Sequence, residues 1–153
     1  KILGGPFLSF LQGCLFLVLA PAAGVPLTLQ GLLLTLPIML LSAFSLSALG
    51  VMVAWPMTTI QGFHAIMNMV LMPMWLLSGS LFSASGAHPG LRLAMQINPL
   101  TYSVSCLRHT LYWGSNRLIE GPDFAVCLAV NATFALIFLA GAVTVASMRR
   151  YDG

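Results

Sequence analysis

The segment PMWLLSGSLFSASGAHPGLRLAMQINPLTYSVSCLR, residues 73–108, decides how the chain is read. It starts deep in an apolar run and breaks at Ser78-Gly79-Ser80. A region of Gly, Ser, His and Pro follows before a restart at Asn98-Pro99, with Arg108 further along. Asn98 is a good N-cap and Pro99 fits a first helical position, where its missing N–H costs nothing. The pattern predicts a short helix over 89–97, with Leu91, Ala94 and Met95 on one side and Arg92 and Gln96 on the other. A second helix is expected over 101–113, with Val104, Leu107 and Leu111 facing inward. Both are too short to cross a bilayer and too apolar to float free. A hairpin over about 86–113, lying in or dipping into the membrane interface, is the economical arrangement. Tyr102, Tyr112 and Trp113 suit that depth.

Outward from this segment the chain is almost entirely apolar. Of 153 residues, 59% are hydrophobic and 6% charged, too few charges to clothe a water-facing surface. The chain therefore belongs in lipid, and an all-α integral membrane fold is expected. A span needs roughly 20 apolar residues as helix, which predicts four, near 7–24, 30–54, 60–82 and 124–148. Pro26 closes a short turn after the first. Pro37 is expected to kink the second. Ala43, Ser47, Gly50 and Ala54 place small residues on one face of that helix, a seam for helix packing. Trp55-Pro56 ends it, and Thr58 or Thr59 can cap the third. There Gln61, His64 and Asn68 share a face, and Met67, Met69, Met72 and Met74 read as filler around Pro73. Gly121-Pro122-Asp123 breaks the chain before the fourth span. Asn131-Ala132-Thr133 spells a glycosylation sequon, but inside a span it reads as a buried polar contact between helices.

Few residues can carry chemistry, so no catalytic, metal-binding or cofactor-binding group is expected in this chain. The acids are Glu120, Asp123 and Asp152, none inside a span, which leaves no intramembrane carboxylate pair for a proton relay. Ser78 and His64 lie roughly 20 Å apart along one broken helix, too far for a nucleophile and its base. His64, His88 and His109 lack metal-ligand spacing, as do Cys14, Cys106 and Cys127. Lys1 is the sole lysine, which rules out a phosphate-binding P-loop. A net charge of +3 forms no stripe for nucleic acid.

The words Gln61-Gly62-Phe63-His64, Asn68, Pro73, Leu77-Ser78-Gly79, Phe82, Asn98-Pro99-Leu100-Thr101-Tyr102 and Arg108 occur in a characteristic order and spacing. In these residues the chain resembles the permease subunit of a type-2 ABC exporter, of the ABC-2 type transporter family. It departs from the family's usual pattern at Phe82-Ser83 and His88-Pro89-Gly90. The resemblance implies a permease half of six spans, of which this chain corresponds to the last four. It also implies a second permease half, identical or homologous, and separate ATP-binding cassette subunits that hold ATP and magnesium. The chain would then form part of a translocation path for export of a drug, lipid or polysaccharide. Charge alone does not orient it, since Lys1, Arg149 and Arg150 balance Arg92, Arg108 and Arg117. Arg149-Arg150 stands directly at a helix end, and with the resemblance it places both ends in the cytoplasm of a bacterial inner membrane. Candidate path or gate residues are His64, Asn68 and Arg108. Ser78, Gly79, Asn98 and Pro99 are candidates for shaping the hairpin. His64 could instead be a neutral packing residue, and Arg108, like Arg92, could reach lipid phosphate. The competing functional readings are a structural anchor that moves no solute and, behind it, a proton-coupled carrier.

Overall fold

The computed structural model describes residues 4–80, 86–115, 119 and 121–148. Phe82, Ser83, Arg117, Glu120, Asp152, Lys1, Arg149 and Arg150, which carry several of the expectations above, lie outside the described residues.

The described residues are helical throughout, with no strand among them. Helix α1, Gly4–Leu19, runs into a 3₁₀ turn, Ala20–Ala23, and stops at Gly24, whose left-handed φ of 77° suits glycine. Helix α2, Leu29–Ala54, is capped by Thr28, whose side-chain oxygen accepts from the Gly31 N–H at 3.0 Å. It continues through Pro37 without interruption. Thr59 caps α3, Ile60–Leu76, in the same way, accepting from the Gly62 N–H at 3.2 Å. Two short helices follow, α4 over Pro89–Ile97 and α5 over Pro99–Leu111, joined through Asn98 alone. Helix α6 spans Phe124–Met148.

Three segments are long and apolar enough to cross a membrane: Gly4–Ala23, Leu29–Ala54 and Phe124–Ser147. The expected third span, 60–82, corresponds to a helix that ends at Leu76. Its 17 residues reach about 25 Å, short of a bilayer core of about 30 Å.

Helices α2 and α6 pack along each other, with α1 on α2 and α5 against both. The buried stripe of α2 is Gly31, Thr35, Ile38, Ser42, Ser45 and Leu49, a run at helical spacing. It differs from the expected small-residue seam. Of that seam Ala43 is buried. Ser47 instead turns toward α1, with its Oγ 3.7 Å from where a Cβ on Gly5 would stand, and Gly50 toward Met67 of α3. At Gly31 the neighbour is backbone, because an added Cβ would stand 2.6 Å from the Thr110 carbonyl oxygen.

The expected inward face of α5 is corrected in part, since Leu107 does pack against the core of Ile38, Cys106 and Cys127. Val104, Leu107 and Leu111 are half-buried, whereas Ser103, Ser105, Cys106 and Thr110 are buried. The reason is the solvent. Leu136 on α6 is 68% exposed and Asn131 on the same helix 1%. In lipid an outward leucine costs nothing, while a hydroxyl or amide must find a partner inside.

Candidate functional site

The polar side chains gather in three places. The first is a buried junction of α2, α5 and α6. The Ser103 hydroxyl donates to Asn131 Oδ1 at 2.9 Å, and Asn131 Nδ2 donates to Ser42 Oγ at 3.1 Å. Further along, Thr35 and Thr110 join α2 to α5, with their hydroxyl oxygens 2.9 Å apart. Cys106 and Cys127 are fully buried with Ile38, and Tyr102, Leu107 and Phe124 pack around them. Burial, with the neighbouring Cys127 second, pushes the Cys106 thiol up to about 12. It is therefore no nucleophile at neutral pH.

The second place is the C-terminal end of α3, where the last carbonyls of a helix have no partner within it. Here Met74 O and Trp75 O find one. Met74 O accepts from Asn98 Nδ2 at 2.6 Å, and Trp75 O from the Ser78 hydroxyl at 2.7 Å. Beyond the helix, Leu77 O accepts from the Thr101 hydroxyl at 3.1 Å and Gly79 O from Arg108 Nη2 at 2.6 Å. Gly79 holds a φ of 79°, a left-handed turn that leads the chain out of the helix. Asn98 is bound twice, since its Oδ1 also accepts from the Leu100 N–H at 3.1 Å to cap α5. Pro99 stands at the first turn of that helix. Tyr102 OH donates to Gln96 O at 2.7 Å and ties the end of α4 to α5.

The third place is the outer face of α3. None of this helix is buried. Gln61, His64 and Asn68 all lie on its exposed side, followed by Met72 and Trp75, a stripe at i, i+3, i+7, i+11 and i+14. His64 has only the Phe63 ring beside it among its ring contacts, with centroids 5.5 Å apart. The fold thus brings Ser78, Gly79, Asn98, Pro99 and Arg108 together and leaves His64 and Asn68 apart from them. From His64 to Gly79 is about 22 Å of chain at a helical rise. Among the described residues no group of three or more His, Cys, Asp and Glu could hold a metal ion.

An apolar shell, a polar junction and a short helix with capped carbonyls describe a multi-pass membrane protein. A family model described as ABC-2 type transporter matches residues 1–112. The chain belongs to that family. Within an ABC-2 permease the match takes in α1 to α5, and so includes two of the three polar places in full. No curated protein and no solved structure matches the chain. The family is that of the membrane component of ABC-type transporters, which works with an ABC ATPase subunit.

Sequence reasoning missed Thr101 as a donor to α3 and the Thr35–Thr110 pair. It found Asn131 as a buried helix contact but not its partners. The available signal was the spacing of Gly31, Thr35, Ser42 and Ser45, a polar stripe on α2 beside the one chosen.

Proposed function

We propose that this chain is a permease subunit of an ATP-driven ABC exporter and that the exposed stripe of α3 lines part of its translocation path. The observation that carries the reading is the position of Gln61, His64 and Asn68 on a face that no described part of the chain covers. In hydrocarbon, each such group left unpaired would cost several kcal/mol. That face therefore meets water or another polypeptide. A second permease half, identical or homologous, is the partner that would enclose a path along it.

In this arrangement α1, α2, α3 and α6 are four spans, completed at α3 by the turn that follows it. The α4–α5 hairpin lies at the outer interface among lipid headgroups, and both termini are cytoplasmic in a bacterial inner membrane. The chain holds no cofactor; ATP and magnesium reside on the partner ATPase. The cargo is a drug, lipid or polysaccharide.

The test is made on the full-length permease co-expressed with its cassette ATPase. His64→Cys and Asn68→Cys should react with a membrane-impermeant methanethiosulfonate, and trapping with MgATP and vanadate should change the rate. A photoreactive ATP analogue should label the ATPase subunit and not the permease. Labelling of the permease alone, or reaction rates indifferent to nucleotide, would overturn the reading in favour of a passive anchor.

A further inference from the structure

The polar groups of α5 divide by direction. Taking 100° per residue, Asn98, Thr101 and Arg108 fall within about 80° of one another around the helix axis. Ser103, Cys106 and Thr110 fall within about 60° on a face centred roughly 160° away. The first set donates to the carbonyls of Met74, Leu77 and Gly79. The second set is buried, with Ser103 bonded to Asn131 of α6 and Thr110 to Thr35 of α2. α5 is therefore bonded on one side to the α2–α6 pair and on the other to the end of α3.

The rest of α3 is held quite differently. Like the last turn of α3 it buries no residue, and Met67 lies against Gly50 of α2, but none of its described side chains hydrogen-bonds to another helix, and Ile60 and Met69 are 78% and 79% exposed. Between the bonded end and this unlatched length stands Pro73. A proline inside a helix lacks the N–H that would bond four residues back and is a common site of bending. The latched carbonyls all lie after Pro73, and Gln61, His64 and Asn68 all lie before it.

We infer that α3 is a lever hinged at Pro73, with α5 as its fixed post and Asn98, Thr101 and Arg108 as the positioning residues that pin its outer end. Motion of α3 is then confined to the half that bears the polar stripe. Arg108 acts through a carbonyl and touches no cargo. Thirteen residues from Pro73 to Ile60 make an arm of about 20 Å. A swing of about 15°, ordinary for a rigid-body switch, moves its free end about 5 Å. The inference rests on the permease reading only for the use made of this motion; the hinge and the latch stand on the bonds themselves.

Pulsed electron–electron distance measurements test it on the full-length permease bound to its ATPase in nanodiscs, spin-diluted with unlabelled permease. Labels are placed at Ile60→Cys or Trp75→Cys on α3, each paired with Leu136→Cys on α6, in a Cys14→Ser background. The Ile60–Leu136 distance should be broad without nucleotide and shift by about 5 Å on trapping with MgATP and vanadate. Trp75–Leu136 should stay narrow and unmoved. Pro73→Ala should narrow the Ile60 distribution. Arg108→Met with Thr101→Val should broaden the Trp75 distribution, whereas Arg108→Lys with Thr101→Ser keeps a donor at both positions and should restore it. Equal motion at both ends, no motion at either, or a Trp75 distance indifferent to the Met/Val pair would each overturn the lever. The latch variants are read without nucleotide, so their outcome separates failure of this inference from failure of the exporter reading.

Discussion

Asn131 shows how one amide can fix three helices. Its carbonyl oxygen takes the Ser103 proton and its nitrogen reaches Ser42. In a membrane such bonds contribute less than the dry surroundings suggest, because the unassembled helices also find partners. Asn131→Leu should accordingly lower the stability of the purified permease by about 1–2 kcal/mol, read from thermal unfolding. Thr133→Ala is the control, since the Thr133 hydroxyl only bonds back to Ala129 O on an exposed face. Gly31→Ala should be more severe, by about 1–3 kcal/mol, as its Cβ meets the Thr110 backbone rather than a side chain that could turn aside. Gly4→Ala, with nothing within 4 Å, should be silent. Cys106 supplies a pH dependence. Its pKa in the fold, about 12, lies above the ordinary 9.0 of an exposed thiol. The stabilisation from keeping it protonated is complete below pH 9 and is lost as pH rises toward 12. Cys106→Ala should remove that part of the alkaline loss, and N-ethylmaleimide should reach Cys106 only after unfolding.

At the scale of elements, the short helices are most instructive. Tyr102→Phe removes the hydrogen bond to Gln96 O, and hydrogen–deuterium exchange across α4 should quicken while α6 stays protected. The existence of α4, the capping by Asn98 and the cap at Thr59 were all legible in the sequence, because capping chemistry is local and depends on a few neighbouring residues. Three of the expected spans, those of α1, α2 and α6, were legible because hydropathy is read within a single run. The burial face of α5 was not. Val104, Leu107 and Leu111 look like a core stripe by the rule for water, yet only Leu107 packs on the core and the most buried positions are Ser103, Ser105, Cys106 and Thr110, which follows once lipid is taken as the solvent. The seam on α2 was misread by a related ambiguity, because small residues occur on several of its faces and only the partners choose among them. The candidate site was half legible. Asn98, Ser78, Gly79 and Arg108 could be singled out as a group, but their acceptors are backbone carbonyls, which every residue has and no sequence pattern marks. The end of α3 at Leu76 depends on those carbonyl bonds and lay beyond a hydropathy argument.

For the whole molecule, the arrangement is a thin polar seam inside an apolar sleeve. If the proposed topology holds, with both ends cytoplasmic and the hairpin outside, Gly90→Cys should react with an impermeant maleimide added to intact cells. Labelling from the cytoplasmic side alone would invert the proposed topology. The seam also constrains how the protein is made. Of the buried hydroxyls of α5, Thr110 meets Thr35 of the earlier helix α2, whereas Ser103 meets Asn131 of the later helix α6. A ribosome that has just released α5 into the insertion machinery has not yet supplied the asparagine that completes its inner face. The hairpin can dock on α2 through Thr35 and Thr110 before α6 emerges, but its inner face is complete only once α6 has entered the bilayer. A nascent chain stalled before Asn131 should therefore leave the Ser103 hydroxyl without the partner that the folded chain gives it.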